Sequence, residues 1–561
     1  MARQLAFHRV RAGWRVLAGH VLVAAGWALF VAVIQGGRAA PGSLSREWLL
    51  AFGLALLGTL LAHGLVALGL AYAGDGALGP PLGSTLKAAV PLLVPAGFAL
   101  AAYASDAFNH VLTQTSDLAW VWQGAVTAWV AAEIAVALLS LDGVPMRGRS
   151  WLRGLWAHGR TLSEPRLTLP LVVALFVSVR VLLAFLWQPF GFFERGSDFG
   201  AYEQRARLAV QGLQPFIDYW VEYPPLFPWM ASGVKLLSLR FGGSEAAFGV
   251  IMSLILLAFE TGTLVLTYRI AARVWDEARG LASAVAYAGL FYPLYVANRH
   301  FETMAVFFLL LGLYSIMQGR RYAAAAALTL GVLTKAFPIA AFPALLAGAG
   351  WGRRARYLAV SAALAAAILV PLAVRGGEFF VASVQNMALR PGWETLWALF
   401  DGNTSFGDVH RYRLSPETAT QFPTTSHTPL GVSILAGAAL VAFAAGLAWR
   451  RAPAHPAAAV WMTGAALAAF ALWLKGWSPQ FMTWFLPLVV IAYPGGRGFL
   501  VATGLTCLAL LENPGYFVLW SDRAWVLWAI VSARSAAIAG LGVMFWLRLG
   551  RLRPATGAEP A

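Results

Sequence analysis

Apolar stretches long enough to cross a bilayer recur along this chain from Val16 to Leu547, and no other feature narrows its fold so far. A helix of about 20 apolar residues spans the hydrocarbon layer, and inside that layer only helices and closed barrels satisfy their own backbones. The stretches are continuously apolar rather than alternating, which excludes a barrel. Charged residues make up 12% of the chain, roughly half the share of a soluble domain. The sequence therefore predicts an all-α polytopic integral membrane protein. Spans are expected near 14–34, 48–73, 86–105, 118–140, 168–188, 246–272, 280–297, 302–318, 322–334, 336–350, 357–374, 429–449, 457–474, 480–494, 498–511 and 523–547, about sixteen in all. Tyr322–Gly350 is long for one helix and has basic runs at both ends, so it is read as two short helices turning near Thr334–Pro338.

The net charge is +16, which in a soluble protein would suggest nucleic acid. Here the arginines gather in short runs between spans, among them Arg147, Arg149 and Arg153, then Arg353, Arg354 and Arg356, then Arg548, Arg551 and Arg553. That is the positive-inside pattern, and it makes membrane lipids, not nucleic acid, the expected partner. Counted from a cytoplasmic N-terminus, the longer polar segments Ser105–Asp117, Pro189–Glu245, Arg375–Thr428 and Asn513–Asp522 fall on the non-cytoplasmic side, with Lys475–Gln480. Function is expected there, because long and chemically varied loops carry it.

Cys507 is the single cysteine, so no intramolecular disulfide or thiolate metal site can form. No cofactor is expected; a divalent metal is compatible with the sequence but nothing in it indicates one. No acidic or histidine spacing has the regularity of a ligand set, and no nucleotide-binding glycine loop follows a strand. The first apolar stretch follows a basic head and is read as an uncleaved anchor. Residues 1–165 form an N-terminal four-helix membrane section of unknown role, and 166–561 carry every distinctive motif. No internal repeat is visible, which weighs against a transporter.

One segment stands apart: Phe193–Met230, FERGSDFGAYEQRARLAVQGLQPFIDYWVEYPPLFPWM. Ser197 or Asp198 would cap a helix running from about Phe199 to Gln211 and stopped by Gly212. Phe199, Tyr202, Ala206 and Ala209 or Val210 would share its apolar side, with Glu203, Arg207 and Gln211 on another. An amphipathic helix on the membrane surface follows, with Asp198 at the end where the helix dipole favours a carboxylate. Beyond it, prolines stiffen a stretch that carries Asp218 and Glu222 beside Tyr219, Trp220 and Tyr223. Such a stretch is either a carbohydrate-facing wall or a loop whose aromatics anchor at the headgroups.

The acidic residue near the start of this loop, the later Gly212-Leu-Gln-Pro215-Phe-Ile-Asp218 and the Tyr223-Pro-Pro resemble the polyprenyl-phosphate-sugar-dependent glycosyltransferases of the GT-C superfamily, in particular the family 87-like bacterial members and related mannosyltransferases. Three further segments are similar to that family: GVLTKAFP at Gly331–Pro338, KGWSPQFMTWFLP at Lys475–Pro487, and NRHFE at Asn298–Glu302, with Glu302 where the family has Asp. The resemblance covers roughly residues 168–495. It implies a GT-C-like helical bundle with a large external loop bearing an amphipathic helix. The implied reaction transfers a hexose, mannose favoured, from a polyprenyl-phosphate donor to a lipid or glycan acceptor at the outer face of the cell membrane.

Under that resemblance Asp198 is the catalytic base; the plain alternative is helix capping. Lys475, Arg299 and Lys335 would bind the donor phosphate. Lys335 and Lys475 are two of only four lysines and interrupt apolar runs, where a charge is costly and marks function, though both stand near span ends from which they can snorkel. Tyr202, Asp218, Glu222, Tyr223, His300, Glu302 and Gln480 are the candidates for holding acceptor or sugar. His300 reads equally as a structural histidine, Glu302 as an answer to a helix dipole, and Asp218 and Glu222 as solvated loop charges. Arg180, Glu260, Glu512 and Arg534 are read as structural pairs. A lipid-linked saccharide flippase without catalysis is the rival function, and an inactive scaffold of the same fold a second.

Overall fold

The computed structural model describes residues 198–290, 300–405, 407, 409–428, 430–449 and 455–552, with isolated positions between 169 and 180. The first four expected spans and Arg299 lie outside the described residues. By contact the chain divides into two compact units. One comprises Met1–Arg195, Leu281–Phe291 and Tyr493–Thr503; the other comprises Gly196–Gly280, Tyr292–Ala492 and Gly504–Ala561. Within the described part of the first, the Arg180 guanidinium lies over the Phe176 ring at 3.4 Å. Everything below concerns the second unit.

The described residues form helices and no strand; two isolated bridges, Pro215 with Tyr219 and Trp393 with Gly476, are the only extended pairings among them. Among the described residues four helices are long and apolar enough to cross a membrane: Ala247–Val274, Trp351–Leu389, Val432–Trp449 and Ala524–Gly550. Shorter apolar helices run over Glu302–Met317, Arg321–Thr334, Phe337–Leu346, Ala457–Trp473 and Pro479–Ala492. This is a helical membrane protein, with fewer full-length spans among the described residues than the about sixteen expected for the whole chain. The expected stretch 336–350 is in fact a 3-10 turn, Phe337–Ala341, leading into the five-residue helix Phe342–Leu346. Pro338 and Pro343 each remove a backbone donor there, so a long regular helix cannot form.

Five helices position the site. Helix α1 is Phe199–Ala206, extended by a 3-10 turn to Gln211 and stopped at Gly212, whose φ of 80° suits glycine. Helix α2, Leu226–Ser238, begins directly after Pro225. Helix α3, Glu245–Val274, is capped by Ser244, whose side chain accepts from the Ala247 amide at 3.1 Å. Helix α4, Glu302–Met317, and helix α5, Arg321–Thr334, make a hairpin through Gly319, at φ 75°. Because α4 and α5 are antiparallel, the first residue of α4 lies beside the residue that directly follows α5. Glu302 and Lys335 are those two residues.

Helix α1 does not lie with a free apolar face. Phe199, Tyr202 and Ala206 are buried in one cluster with Phe227, Ala231 and Val234 of α2, Phe248, Met252 and Leu256 of α3, and Phe301 and Met304. Protein, not lipid, covers that face. Glu203, expected on the polar side, is also buried, because Lys235 of α2 reaches it at 2.5 Å and Arg207 pairs with it at 2.5 Å.

The proline-rich stretch that follows is fastened to the long helix α6, Trp351–Leu389. Phe216, Tyr219 and Val221 are buried against Leu372, with Phe380 packed alongside. A methyl group at Gly376 would stand 2.0 Å from the Phe216 carbonyl oxygen, so only glycine allows this approach. Phe216 itself takes a φ of 71°, a strained conformation held by its packing. Trp220 donates from its indole to Thr418 Oγ1 at 2.9 Å, and the Val221 amide donates to Ser383 Oγ at 3.0 Å. The loop thus lies between the end of α6 and the segment 409–420.

Candidate functional site

Asp198 occupies the N-cap position of α1, but its side chain caps nothing. Its Oδ2 accepts from the Tyr202 hydroxyl at 3.3 Å and from Gln480 Nε2 at 3.0 Å. Gln480 belongs to the short 3-10 helix Pro479–Trp484 and is 282 residues away in sequence. The carboxylate is half-buried, and Oδ1 accepts no hydrogen bond from the described residues. Burial, then the nearby Asp198 charge, pushes the Tyr202 phenol well up, so the hydroxyl remains a neutral donor to Asp198.

A cage of aromatics surrounds this pair. Tyr202 meets Tyr223, Phe227 and Phe301 edge-on at centroid distances of 5.8, 4.7 and 5.9 Å. His300 is buried beside the Tyr202 ring at 6.4 Å. Phe227 stacks on Phe301 at 3.9 Å. Below them, Lys335 and Glu302 form a short ion pair, and the ammonium lies over the rings of Phe481 at 3.9 Å and Phe301 at 4.7 Å. The second Glu302 oxygen is buried without a partner. Lys335 is therefore neutralised by Glu302 and steadied by ring faces, a cost that an isolated charge at such a place could not offset.

Glu222 is buried, not solvated. Arg205 reaches it at 2.6 Å and Arg413 at 2.5 Å, with a second Arg413 contact of 3.3 Å. Burial would raise this carboxyl, but Arg205 and Arg413, with Arg390 adding to them, hold it at about 2. Burial lowers the Arg205 guanidinium and Glu222 more than reverses that. The Arg413 guanidinium also lies over Trp220 at 4.0 Å. Asp218, by contrast, is spent within its own turn, its Oδ2 accepting from the Gln214 amide at 2.7 Å. Tyr223 packs in the aromatic cage, and burial, with Asp198 and Glu222 next in order, pushes its phenol up.

The segment that opens with Arg390 closes the other side. Trp393 donates its amide to the Lys475 carbonyl at 3.3 Å, and the Trp477 amide donates to the Trp393 carbonyl at 2.9 Å. Thr395 Oγ1 donates to the Lys475 carbonyl at 2.6 Å, and the Trp393 indole donates to Ser478 Oγ at 3.3 Å. Glu394, between them, is buried at a φ of 51°. Burial and the neighbouring Glu512 raise its carboxyl well above the usual range, while Glu512 itself pairs with Arg534. Arg534 also donates to the Glu394 carbonyl oxygen. Among the described residues no three His, Cys, Asp or Glu side chains gather as a metal site would need.

Gly476 makes this pairing possible, because a methyl group there would stand 2.1 Å from two atoms of the Trp393 ring. Gly476→Ala is expected to destabilise the protein by about 1–3 kcal/mol, read as a fall in the thermal midpoint in detergent. An unchanged midpoint would mean that Trp393 does not pack there.

Of the residues expected from sequence, the structure brings Asp198, Tyr202, Tyr223, Gln480, His300, Glu302 and Lys335 into one neighbourhood. Asp218 is engaged locally, Glu222 is committed to arginines, and the Lys475 ammonium has no partner among the described residues. Arg205, Arg390, Arg413 and Glu394 were not anticipated. A usable signal existed: Arg390 and Arg413 sit in a segment read as non-cytoplasmic, against the arginine bias that places most such residues inside.

No family model matches the chain, and no curated protein matches it. Among solved structures, the crystal structure of the Archaeoglobus fulgidus oligosaccharyltransferase in the apo form is similar at 13% identity, with a TM-score of 0.34, over 67% of this chain and 55% of that one. The chain thus spans about half the length of that protein. A likeness at this level decides nothing about function, which rests on the residues themselves.

Proposed function

We propose that the protein is a membrane glycosyltransferase. It transfers a hexose, mannose by the family resemblance, from a polyprenyl-phosphate donor to a lipid or glycan acceptor at the non-cytoplasmic face of the cell membrane. The observation that carries this reading is the state of Asp198. Two neutral donors, Tyr202 and Gln480, orient it through one oxygen and leave the other oxygen free to accept a proton. A carboxylate used only for capping would bond to backbone amides of α1, and this one does not.

The acceptor oxygen bonds to the anomeric carbon as its proton passes to Asp198. The bond from that carbon to the phosphate oxygen breaks, and its electron pair departs on the polyprenyl phosphate, giving inversion. Geometry between base and acceptor hydroxyl is the first requirement of such catalysis. Lys475, with Arg299, would balance the charge on the leaving phosphate. Lys335, its charge answered by Glu302, would keep that carboxylate in place beside the acceptor rather than bind the phosphate. His300, Glu302, Tyr223 and Gln480 would border the acceptor, with Asp218 and Glu222 further out.

The reading is tested by mass spectrometry of glycolipids and envelope glycans from a strain lacking the protein. A glycan shortened by one hexose is expected, restored by the wild-type chain and not by Asp198→Asn. An unaltered glycan profile would overturn it.

A further inference from the structure

Among the described residues Arg390, which no sequence pattern marks, is a cation near Asp198 whose side chain makes no hydrogen bond. It follows α6 immediately and is held at its backbone, where its amide donates to the Asn386 carbonyl at 3.2 Å. Its guanidinium lies over the Trp393 ring at 4.1 Å. Its Nε is buried and makes no hydrogen bond. The residue is only partly buried, so part of the fork is accessible. Three anionic or hydroxylic groups lie within its electrostatic reach, Glu222, Tyr223 and Asp198, and none of them bonds to it.

Its arginine neighbours differ. Arg205 and Arg413 both spend their charge on Glu222, and Lys335 spends its charge on Glu302. The Lys475 ammonium is unpaired among the described residues, and the backbone pairing of Trp393 with Lys475 and Trp477 keeps its segment against the one that bears Arg390. Two unspent cations thus sit on two segments fastened to each other; Arg390 lies within electrostatic reach of the carboxylate proposed as base, and Lys475 is on the segment whose Gln480 bonds to it. A planar guanidinium already stacked on an indole is pre-organised to give two parallel N–H bonds, and a phosphate group offers matching oxygens. An unpartnered buried donor is costly unless a ligand completes it.

The geometry points to Arg390 as a phosphate-receiving residue of this site, taking the anionic head of a prenyl phosphate with Lys475 beside it. The inference rests on the donor reading above and adds a residue to it. The prenyl chain would then leave toward α6, along which Val370, Val374, Val381 and Leu389 are exposed among the described residues.

Binding of farnesyl phosphate, farnesol and inorganic phosphate to the purified full-length protein in nanodiscs distinguishes the cases, with Arg390→Gln and Arg390→Lys compared at equal thermal midpoint. Wild type is expected to bind farnesyl phosphate saturably and well above farnesol, with inorganic phosphate competing weakly. Arg390→Gln is expected to weaken farnesyl phosphate by about tenfold to a hundredfold, the worth of charge-assisted hydrogen bonds, leave farnesol unchanged, and be partly rescued by Arg390→Lys. If wild type binds farnesyl phosphate and Arg390→Gln binds it equally, the assignment of Arg390 fails while the donor reading stands. If inorganic phosphate binds as well as farnesyl phosphate, the site receives a free anion and the lipid source is wrong. If wild type binds farnesol as tightly as farnesyl phosphate, both readings fail.

Discussion

Asp198→Asn should lower the rate of sugar transfer by about 10²–10⁴-fold, the range that a positioned general base contributes, with little change in stability. The substitution is nearly isosteric, and the amide can still accept from Tyr202 and Gln480 through its oxygen. What it loses is the ability to take a proton. Since α1 is not capped by this side chain, the helix keeps its start, and a fall in activity cannot be ascribed to fraying. Single-turnover measurement with prebound donor reads the effect, alongside donor affinity. A variant that transfers as fast as wild type would remove Asp198 from the chemistry.

Glu222→Gln should have the largest effect on stability. Glu222 is the anion that two buried guanidinium groups share, and removing one partner of such a group costs about 3–5 kcal/mol because the remaining charges stay buried and unanswered. The same network makes stability depend on pH. Folding depresses the Glu222 carboxyl from an ordinary value of 4.5 to about 2. Its contribution is therefore fully present above about pH 4.5 and is lost as the pH falls through the folded value of about 2. A depression of that size corresponds to about 3 kcal/mol. Thermal midpoints measured from pH 5 down should fall in wild type and lack this component in Glu222→Gln. Parallel curves for the two proteins would show that the clasp contributes nothing.

The helices legible in the sequence were those whose apolar run ends at a glycine, a proline or an arginine pair. Glu302–Met317, Arg321–Thr334 and Ala457–Trp473 begin and end within a residue or so of expectation, and the turn near Thr334–Pro338 forms where Lys335 adopts an extended conformation. Helix α2 was missed because Leu226–Ser238 is short for a span and follows two prolines, which read as loop; yet Pro225 stands just where a helix tolerates it, at its start. Helix α6 was cut too early at the Gly376–Gly377 pair, where the chain kinks at φ 49° and then continues to Leu389.

The site was legible unevenly. Resemblance, not periodicity, joined Asp198 to Gln480, since no local pattern links residues so far apart. Burial of charge was the part sequence could not give. No local sequence pattern marks Glu203, Glu222 and Glu302 as buried, and only the fold supplies Lys235, Arg413 and Lys335 from distant segments. The pairing of Trp393 with Gly476 likewise depends on contacts between segments that carry no complementary pattern of their own.

The most direct test is a proteoliposome assay in which the purified protein receives polyprenyl-phosphate-linked radiolabelled mannose and extracted acceptor lipids. A new labelled product, joined by a glycosidic bond of inverted configuration and absent with Asp198→Asn, is the predicted result. Label that crosses between leaflets while remaining on its polyprenyl phosphate, with no new glycosidic bond formed, would contradict it and establish a flippase.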